Sequence, residues 1–487
     1  MIRGVWRDGK AELAWPLVCA LLAVAIYLPS LRASFQFDDW GVIVEDTRVR
    51  SLAAWADSMP GIRPLLKFTY ALDNERGGTP AQFRAVNVVI HAINVVLVYA
   101  LVYTLGSKQR RDGAFVRLAA LAATLLFALH PVQTEAVTYI SGRSTCLSAF
   151  FALGSLLVWA NTVDAPKALP GRLWSAAFFA AALAVKETAI VVPLALLLWQ
   201  SVARPLASAA NGPSRLAPPW RTRLIPIAPH VALALAALLV MSTWQPYRRL
   251  LETSLQARSI GSNLLAQADA FFWFMGQLLC VAPPNPDPAL PVASLQPTAT
   301  WVHAALAIAA IIAALSQLRR HPALAFGGLW FFLWLLPTNS VLPRLDVAND
   351  RQLYLAIIGP AWLVGLALAH LAHPHHRVTS HARRITARVA LTALIGALAL
   401  LTLYQNRIYV DEVTFWEAVV KRAPASARAA DNLGVAYAMA CRQGDAARQF
   451  DRALRLDPSD VRARVNARLL HEGVIPGPTP PKACAQR

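Results

Sequence analysis

Two adjacent carboxylates, Asp38 and Asp39, stand between Phe37 and Trp40. Acids crowded together raise the proton affinity of at least one of them. A carboxylate of raised pKa suits a general base that takes a proton from a hydroxyl. The plainer alternative is a helix N-cap followed by a solvated acid. Four cations follow along the chain: Arg63 before Pro64-Leu65, Arg143 after Gly142, Lys186 beside Glu187, and Arg351 beside Asp350 and near Tyr354. Brought together, such cations would neutralise a phosphate and stabilise it as a leaving group. Asn87, His91 and Asn94 recur at helical spacing on one face of an apolar run. Polar residues within a membrane face a bundle interior or a cavity, or bond between helices. His130-Pro131 through Glu135 marks a further polar segment, and for every one of these the plain alternative is an ordinary turn between helices. No clustered His/Cys spacing points to a metal. A divalent cation between carboxylates and phosphate is compatible with this chemistry, but no pattern requires one.

The elements that position these residues follow from composition. Of 487 residues, 56% are hydrophobic and 15% charged, against about 25% charged in soluble domains. Apolar runs recur from residue 14 to residue 404, and many approach the ~20 residues a helix needs to cross a bilayer. A water-soluble enzyme and a single-anchor protein are both excluded. The fold class expected is all-α, a polytopic helical membrane bundle. Its spans fall near 14–31, 86–105, 116–131, 146–163, 173–185, 188–203, 224–241, 299–316, 323–337, 353–371 and 388–404. The segment 264–281 reads as re-entrant or interfacial, because counting it as a span inverts the charge bias downstream.

The net charge of +19 reports topology rather than nucleic-acid binding. Alternate loops (1–13, 106–117, 164–173, 204–223, 317–322, 372–388) hold 19 Lys and Arg against 4 acids, while the others hold 14 of each sign. The positive-inside rule then places the N-terminus in the cytoplasm and the candidate acids and cations on the outer face. A bacterial inner membrane is the expected location. The first apolar run lacks a small-x-small cleavage site and reads as a retained helix. Cys441 and Cys484 fall outside, where a disulfide is permitted.

Residues 1–404 form the membrane domain on this reading, 405–474 an extracytoplasmic helical segment, and 475–487 a disordered tail. Within 427–460, Leu433, Gly434, Tyr437, Ala446, Phe450, Ala453 and Pro458 occupy the signature positions of one 34-residue tetratricopeptide repeat, with Ala430 in place of the opening aromatic. A lone repeat cannot bury its own faces, so the segment is expected to dock on the outer loops or on a partner.

The order of motifs resembles the membrane O-mannosyltransferases with tetratricopeptide repeats, within the GT-C class of lipid-dependent glycosyltransferases. The landmarks are Phe37-Asp38-Asp39, Arg63-Pro64-Leu65, Phe83 through Asn87 and His91, His130 through Arg143, Lys186-Glu187-Thr188, and Asp350-Arg351 with Leu353-Tyr354-Leu355. The chain departs from the family in having a single repeat unit, and Asp350 where Glu is expected. The resemblance implies a polyprenyl-phosphate sugar donor, an outward-facing site and a hydroxyl acceptor, such as a protein contacted by the repeat. In that scheme Asp39 or Asp38 is the base, with Asp39 favoured. Arg63, Arg143, Lys186 and Arg351 hold the donor phosphate, while Asn87, His91, His130, Glu135, Glu187, Asp350 and Tyr354 shape the pocket. A non-enzymatic envelope scaffold and a transporter of lipid-linked glycans are the competing readings. A scaffold tolerates loss of the Asp-Asp pair, and a transporter carries charges deep within its spans rather than at their ends.

Overall fold

The computed structural model describes residues 10–109, 112–163, 165, 168–203, 224–290, 297–340, 343–344, 346–372, 381–474 and 477. The basic tracts 1–9, 204–223 and 373–380, and nearly all of the tail from 475, lie outside them, as does Cys484. Among the described residues every regular element is helical.

Helix α1 (Lys10–Tyr27) enters the bundle and leads into a long loop carrying α2 (Leu52–Asp57) and α3 (Pro64–Glu75). Then come α4 (Pro80–Lys108), α5 (Gly113–Leu129), the short α6 (Thr134–Val137), α7 (Arg143–Thr162), α8 (Ala168–Val185) and α9 (Val192–Ala203). The second half comprises α10 (Ala228–Thr243), α11 (Gln245–Ala257), α12 (Ile260–Leu278), α13 (Pro297–Ser316), α14 (Pro322–Leu335), α15 (Leu353–Ala356), α16 (Ile358–Ala372) and α17 (His381–Asn406). Four amphipathic helices end the chain: α18 (Glu412–Arg422), α19 (Ala427–Met439), α20 (Gln443–Leu456) and α21 (Val461–His471).

Seven of these helical segments are long and apolar enough to cross a bilayer, or nine if two bent pairs each count as one span. Two shorter apolar helices, Glu187–Ala203 and Pro322–Leu335, fall on the other two expected spans. The protein is an integral membrane protein. On α10 and α13 the large apolar side chains point outward, among them Leu235, Leu239, Trp301, Ile308 and Ile312. Such faces are stable against acyl chains rather than water. The segment 264–281 lies largely within α12, which is not among the candidate spans.

Several boundaries differ from expectation because caps extend the helices into polar sequence. Helix α4 starts at Pro80, six residues early: the Thr79 hydroxyl accepts the Gln82 amide at 3.3 Å, and proline suits the first helical position. Asp112 likewise caps α5 through the amides of Ala114 and Phe115.

The breaks matter more than the helices. At His130 the backbone turns extended, as the residue before a proline must, and the chain bends by 51°. Lys186 is extended between α8 and the turn Glu187–Val191. Asn349 is extended before Asp350–Gln352, and a 54° bend follows. Gly142 lets the turn before α7 pack directly on α6, since a Cβ there would collide with the Glu135 carbonyl oxygen.

The C-terminal helices dock on this end of the bundle. Tyr139 and Phe37 join the apolar core built by Tyr409, Phe415, Trp416, Leu433 and Phe450. Arg428 pairs with Asp287 and, at 2.9 Å, with Asp346. Gly434 admits Phe450, whose Cε1 would lie 2.5 Å from a Cβ at that position.

Candidate functional site

The two aspartates part company at Phe37, whose φ of +45° puts it in the left-handed region. Asp39 turns inward and is wholly buried. Its Oδ1 accepts the Ser141 amide at 2.8 Å and the Ser141 hydroxyl at 2.6 Å, and its Oδ2 accepts the Gln36 amide at 3.1 Å. Burial outweighs these bonds and the charge of Arg84, and pushes the Asp39 carboxyl up to about 7. Asp38 turns outward, with its side chain 41% exposed and Oδ2 3.9 Å from Arg351 Nη1. Its amide donates to the Tyr139 hydroxyl at 2.8 Å.

Arg351 also lies against Glu135: Nε is 3.4 Å from Oε1, and the Arg351 amide donates to Oε2 at 2.9 Å. The break at Lys186 delivers its ammonium to the Thr145 hydroxyl at 2.7 Å. Arg351, Arg63 and Arg344 all lie near enough to repel that ammonium, with Glu187 opposing them. Arg63 is clasped by Glu187 through two nitrogens of its fork, with Nε at 2.9 Å. Lys186 and Arg351 line one cavity with Thr145, Ser148, Thr338 and Gln352. Its volume of ≈ 40 Å³ suffices for a water or two, so a sugar-phosphate headgroup enters only if the surrounding turns separate. Chemically, Lys186 and Arg351 bring two cations to one small cavity, with the ammonium held by a neutral hydroxyl and Arg351 held by Glu135. It is suited to an anion.

The other sequence-predicted residues are placed differently. Arg143 is wholly buried, 2.6 Å from Asp73, and donates to Asn87 Oδ1 and the Phe83 carbonyl, each at 2.8 Å. The rings of Tyr70 and Phe83 flank its guanidinium. Asn87 donates to the carbonyls of Val137, Tyr139 and Ile140. His91 bonds the Tyr354 hydroxyl at 2.8 Å and the Ala128 carbonyl, and Asn94 donates to Tyr354 and to the Cys146 carbonyl. His130 meets the Leu278 carbonyl at 3.1 Å. Asp350 is buried, with the charges of Glu135 and Arg422 near it. Asn87, His91 and Asn94 thereby tie the breaks to α4. Arg344, Thr145 and Asp73 join the site's surroundings without any motif or period in the sequence to mark them.

No family model matches the chain. It is 32% identical over 204 residues to Protein O-mannosyl-transferase Tmtc1 of Drosophila melanogaster, a stretch covering 38% of this chain and 22% of that protein. To TMTC4 of Homo sapiens it is 32% identical over 164 residues, covering 29% of this chain and 22% of that protein. Over that stretch the chain is a distant relative of the protein O-mannosyl-transferases. It spans about a fifth of the length of these curated relatives. Among solved structures it is similar to the archaeal oligosaccharyltransferase AglB from Archaeoglobus fulgidus, in complex with an inhibitory peptide and a dolichol-phosphate. The TM-score is 0.48 at 15% identity, over 82% of this chain and 56% of that chain. The relationship to the O-mannosyl-transferases joins the site geometry as the second line bearing on function.

Proposed function

We propose that the protein is a membrane glycosyltransferase of the GT-C kind that moves a hexose, mannose by analogy with its relatives, from a polyprenyl-phosphate to a hydroxyl acceptor. The carrying observation is that Lys186 and Arg351 line one cavity, with Arg63 and Arg344 near Lys186 and the exposed carboxylate of Asp38 3.9 Å from Arg351. Like charges held together destabilise one another, and a bound phosphate relieves that repulsion. Lys186 and Arg351 hold the donor phosphate, and Arg63 is steadied by Glu187. Glu135 orients Arg351. Asp38 takes the proton of the acceptor hydroxyl as its oxygen attacks the anomeric carbon. The bond from that carbon to the phosphate oxygen breaks, and the lipid phosphate leaves with the electron pair, neutralised by the cations. These roles exchange the two aspartates relative to the sequence reading, because Asp39 is enclosed by its own hydrogen bonds. They also move Arg143 from the phosphate to the scaffold.

The site belongs on the extracytoplasmic face on this reading, with the C-terminal helices forming the repeat unit that meets the acceptor. The loop-charge asymmetry supports that orientation. The test is transfer of labelled mannose from polyprenyl-phosphate-mannose to a panel of hydroxyl-bearing peptides by the purified full chain. Lys186→Gln keeps an N–H donor on a side chain one bond shorter but removes the charge. Transfer is expected to fall about 10²-fold or more, with the melting temperature unchanged or raised because repulsion is relieved. A wild type that transfers nothing across donors and acceptors refutes the proposal in favour of an envelope scaffold. Full activity in Lys186→Gln removes Lys186 from the donor site.

A further inference from the structure

The loop bearing Asp38 is held by a residue 375 positions later in the chain. Glu412 opens α18, and both of its carboxylate oxygens accept the Phe37 amide, at 3.2 and 3.0 Å. The cap of α18 is supplied instead by Asp411, which takes the Thr414 amide at 2.8 Å and leaves Glu412 free to reach outward. Trp416, one turn on, donates its indole N–H to Glu412 at 2.9 Å and meets the Phe37 ring edge-on at 5.0 Å. The same strap binds the loop further back: the Ser34 amide donates to the Val410 carbonyl at 3.0 Å, and the Gln36 side chain donates to the Tyr409 carbonyl.

We infer that Glu412 is a positioning residue, through which the C-terminal helical segment sets the conformation of Phe37 and thereby aims Asp38 at the site. A bulky residue at positive φ is costly and persists only where its surroundings over-determine it. Here the surroundings are Glu412 on the amide and Trp416 on the ring. Releasing Phe37 to an ordinary φ swings the following peptide, and with it the direction of Asp38. It also changes the approach of the Asp38 amide to Tyr139. The neighbours of Glu412 on the loop side are Phe37 and Trp40, and Asp411 lies beside it in sequence. No cation neutralises it in that set, so its charge is invested in the N–H donors. The inference rests on Asp38 being the base, and its test separates the two ideas.

Glu412→Ala and Glu412→Gln are compared with wild type, alone and in an Asp38→Asn background. Glu412→Ala is expected to lower kcat about 10- to 100-fold, the scale of a small misplacement of a catalytic group, without raising KM for the lipid donor. Glu412→Gln retains an acceptor oxygen for the Phe37 amide and restores most of the rate. In the Asp38→Asn background, Glu412→Ala should cost less than about threefold, as expected of residues acting as one unit. Amide exchange supplies a readout that needs no activity: residues 34–39 should exchange about tenfold faster or more in Glu412→Ala, with the amides of α4 unchanged. Unaltered exchange at 34–39, or an equal loss of rate in both backgrounds, overturns the positioning role. An inactive wild type whose loop still loosens in Glu412→Ala refutes the transferase reading alone.

Discussion

Asp38→Asn and Asp39→Asn differ by one position and should behave oppositely. Asp38 pairs with Arg351 across 3.9 Å with its side chain 41% exposed, and such pairs contribute about 0–1 kcal/mol to stability. Replacing it by Asn therefore leaves folding and membrane insertion intact. A general base contributes about 10²–10⁴-fold to a rate, equivalent to about 3–5 kcal/mol of barrier at about 1.4 kcal/mol per decade. Transfer by Asp38→Asn should fall within that range, with KM for the lipid donor changed little, because Lys186 and Arg351 remain. Asp39 holds the amides of Gln36 and Ser141 and the Ser141 hydroxyl. An Asn amide turns an N–H toward one of those donors, so the loss appears as stability and yield. Activity per folded molecule should stay within about threefold of wild type, well short of the range for a lost base. The assay is single-turnover transfer from polyprenyl-phosphate-mannose in matched proteoliposomes, normalised to folded protein. If Asp38→Asn stays within tenfold of wild type while folded Asp39→Asn drops by orders of magnitude, the assignment from burial is wrong.

Two other outcomes follow from the buried charges. Arg143→Gln strands Asp73 and frees the Asn87 and Phe83 carbonyls that Arg143 binds; breaking a buried pair from one side costs about 3–5 kcal/mol. A sharply lower melting temperature in detergent is expected, and an unaltered one would return Arg143 to the candidate ligands. Asp39 has its carboxyl raised to about 7 in the fold against an ordinary 3.8, so between those values the folded protein holds a proton that the unfolded chain has released. Stability therefore falls as pH rises from about 4 to about 7 and is level above. The slope is about 1.4 kcal/mol for each pH unit crossed, or about 4 kcal/mol in all. Melting temperature measured from pH 4.5 to 8 should show this slope in wild type and lose it in Asp39→Asn. An identical slope in both would assign the titration to another group.

How much of this was legible in the sequence depends on what kind of coordinate a residue needs. The bilayer imposes depth: apolar runs separated by charged turns place Asp38, Glu135, Lys186 and Asp350 at one end of the bundle before any packing is known, and the helices and breaks agree. The face carrying Asn87, His91 and Asn94 is likewise legible from its period, and it does turn inward. Lateral position is another matter. Arg143 and Arg351 share a layer and a charge, yet Arg143 meets Asp73, Asn87 and backbone carbonyls, while Arg351 lines the cavity with Lys186. That difference is decided by where α3 sets Asp73, 70 residues earlier, and nothing in the spacing of either arginine encodes it. The aspartates show the same limit at closer range. Their adjacency is plain in the sequence, but which one faces outward depends on the φ of Phe37, and that angle is held by Glu412 from the far end of the chain. Hydrophobic pattern thus selects the candidates, and the pairing of each charge with a neighbour from a remote segment decides which candidates retain a free face. In a bundle whose breaks meet at one surface, two residues stand out from those pairings: Lys186, whose ammonium is held by the neutral Thr145 hydroxyl, and Asp38, which stays 41% exposed beside Arg351 while its neighbour is enclosed.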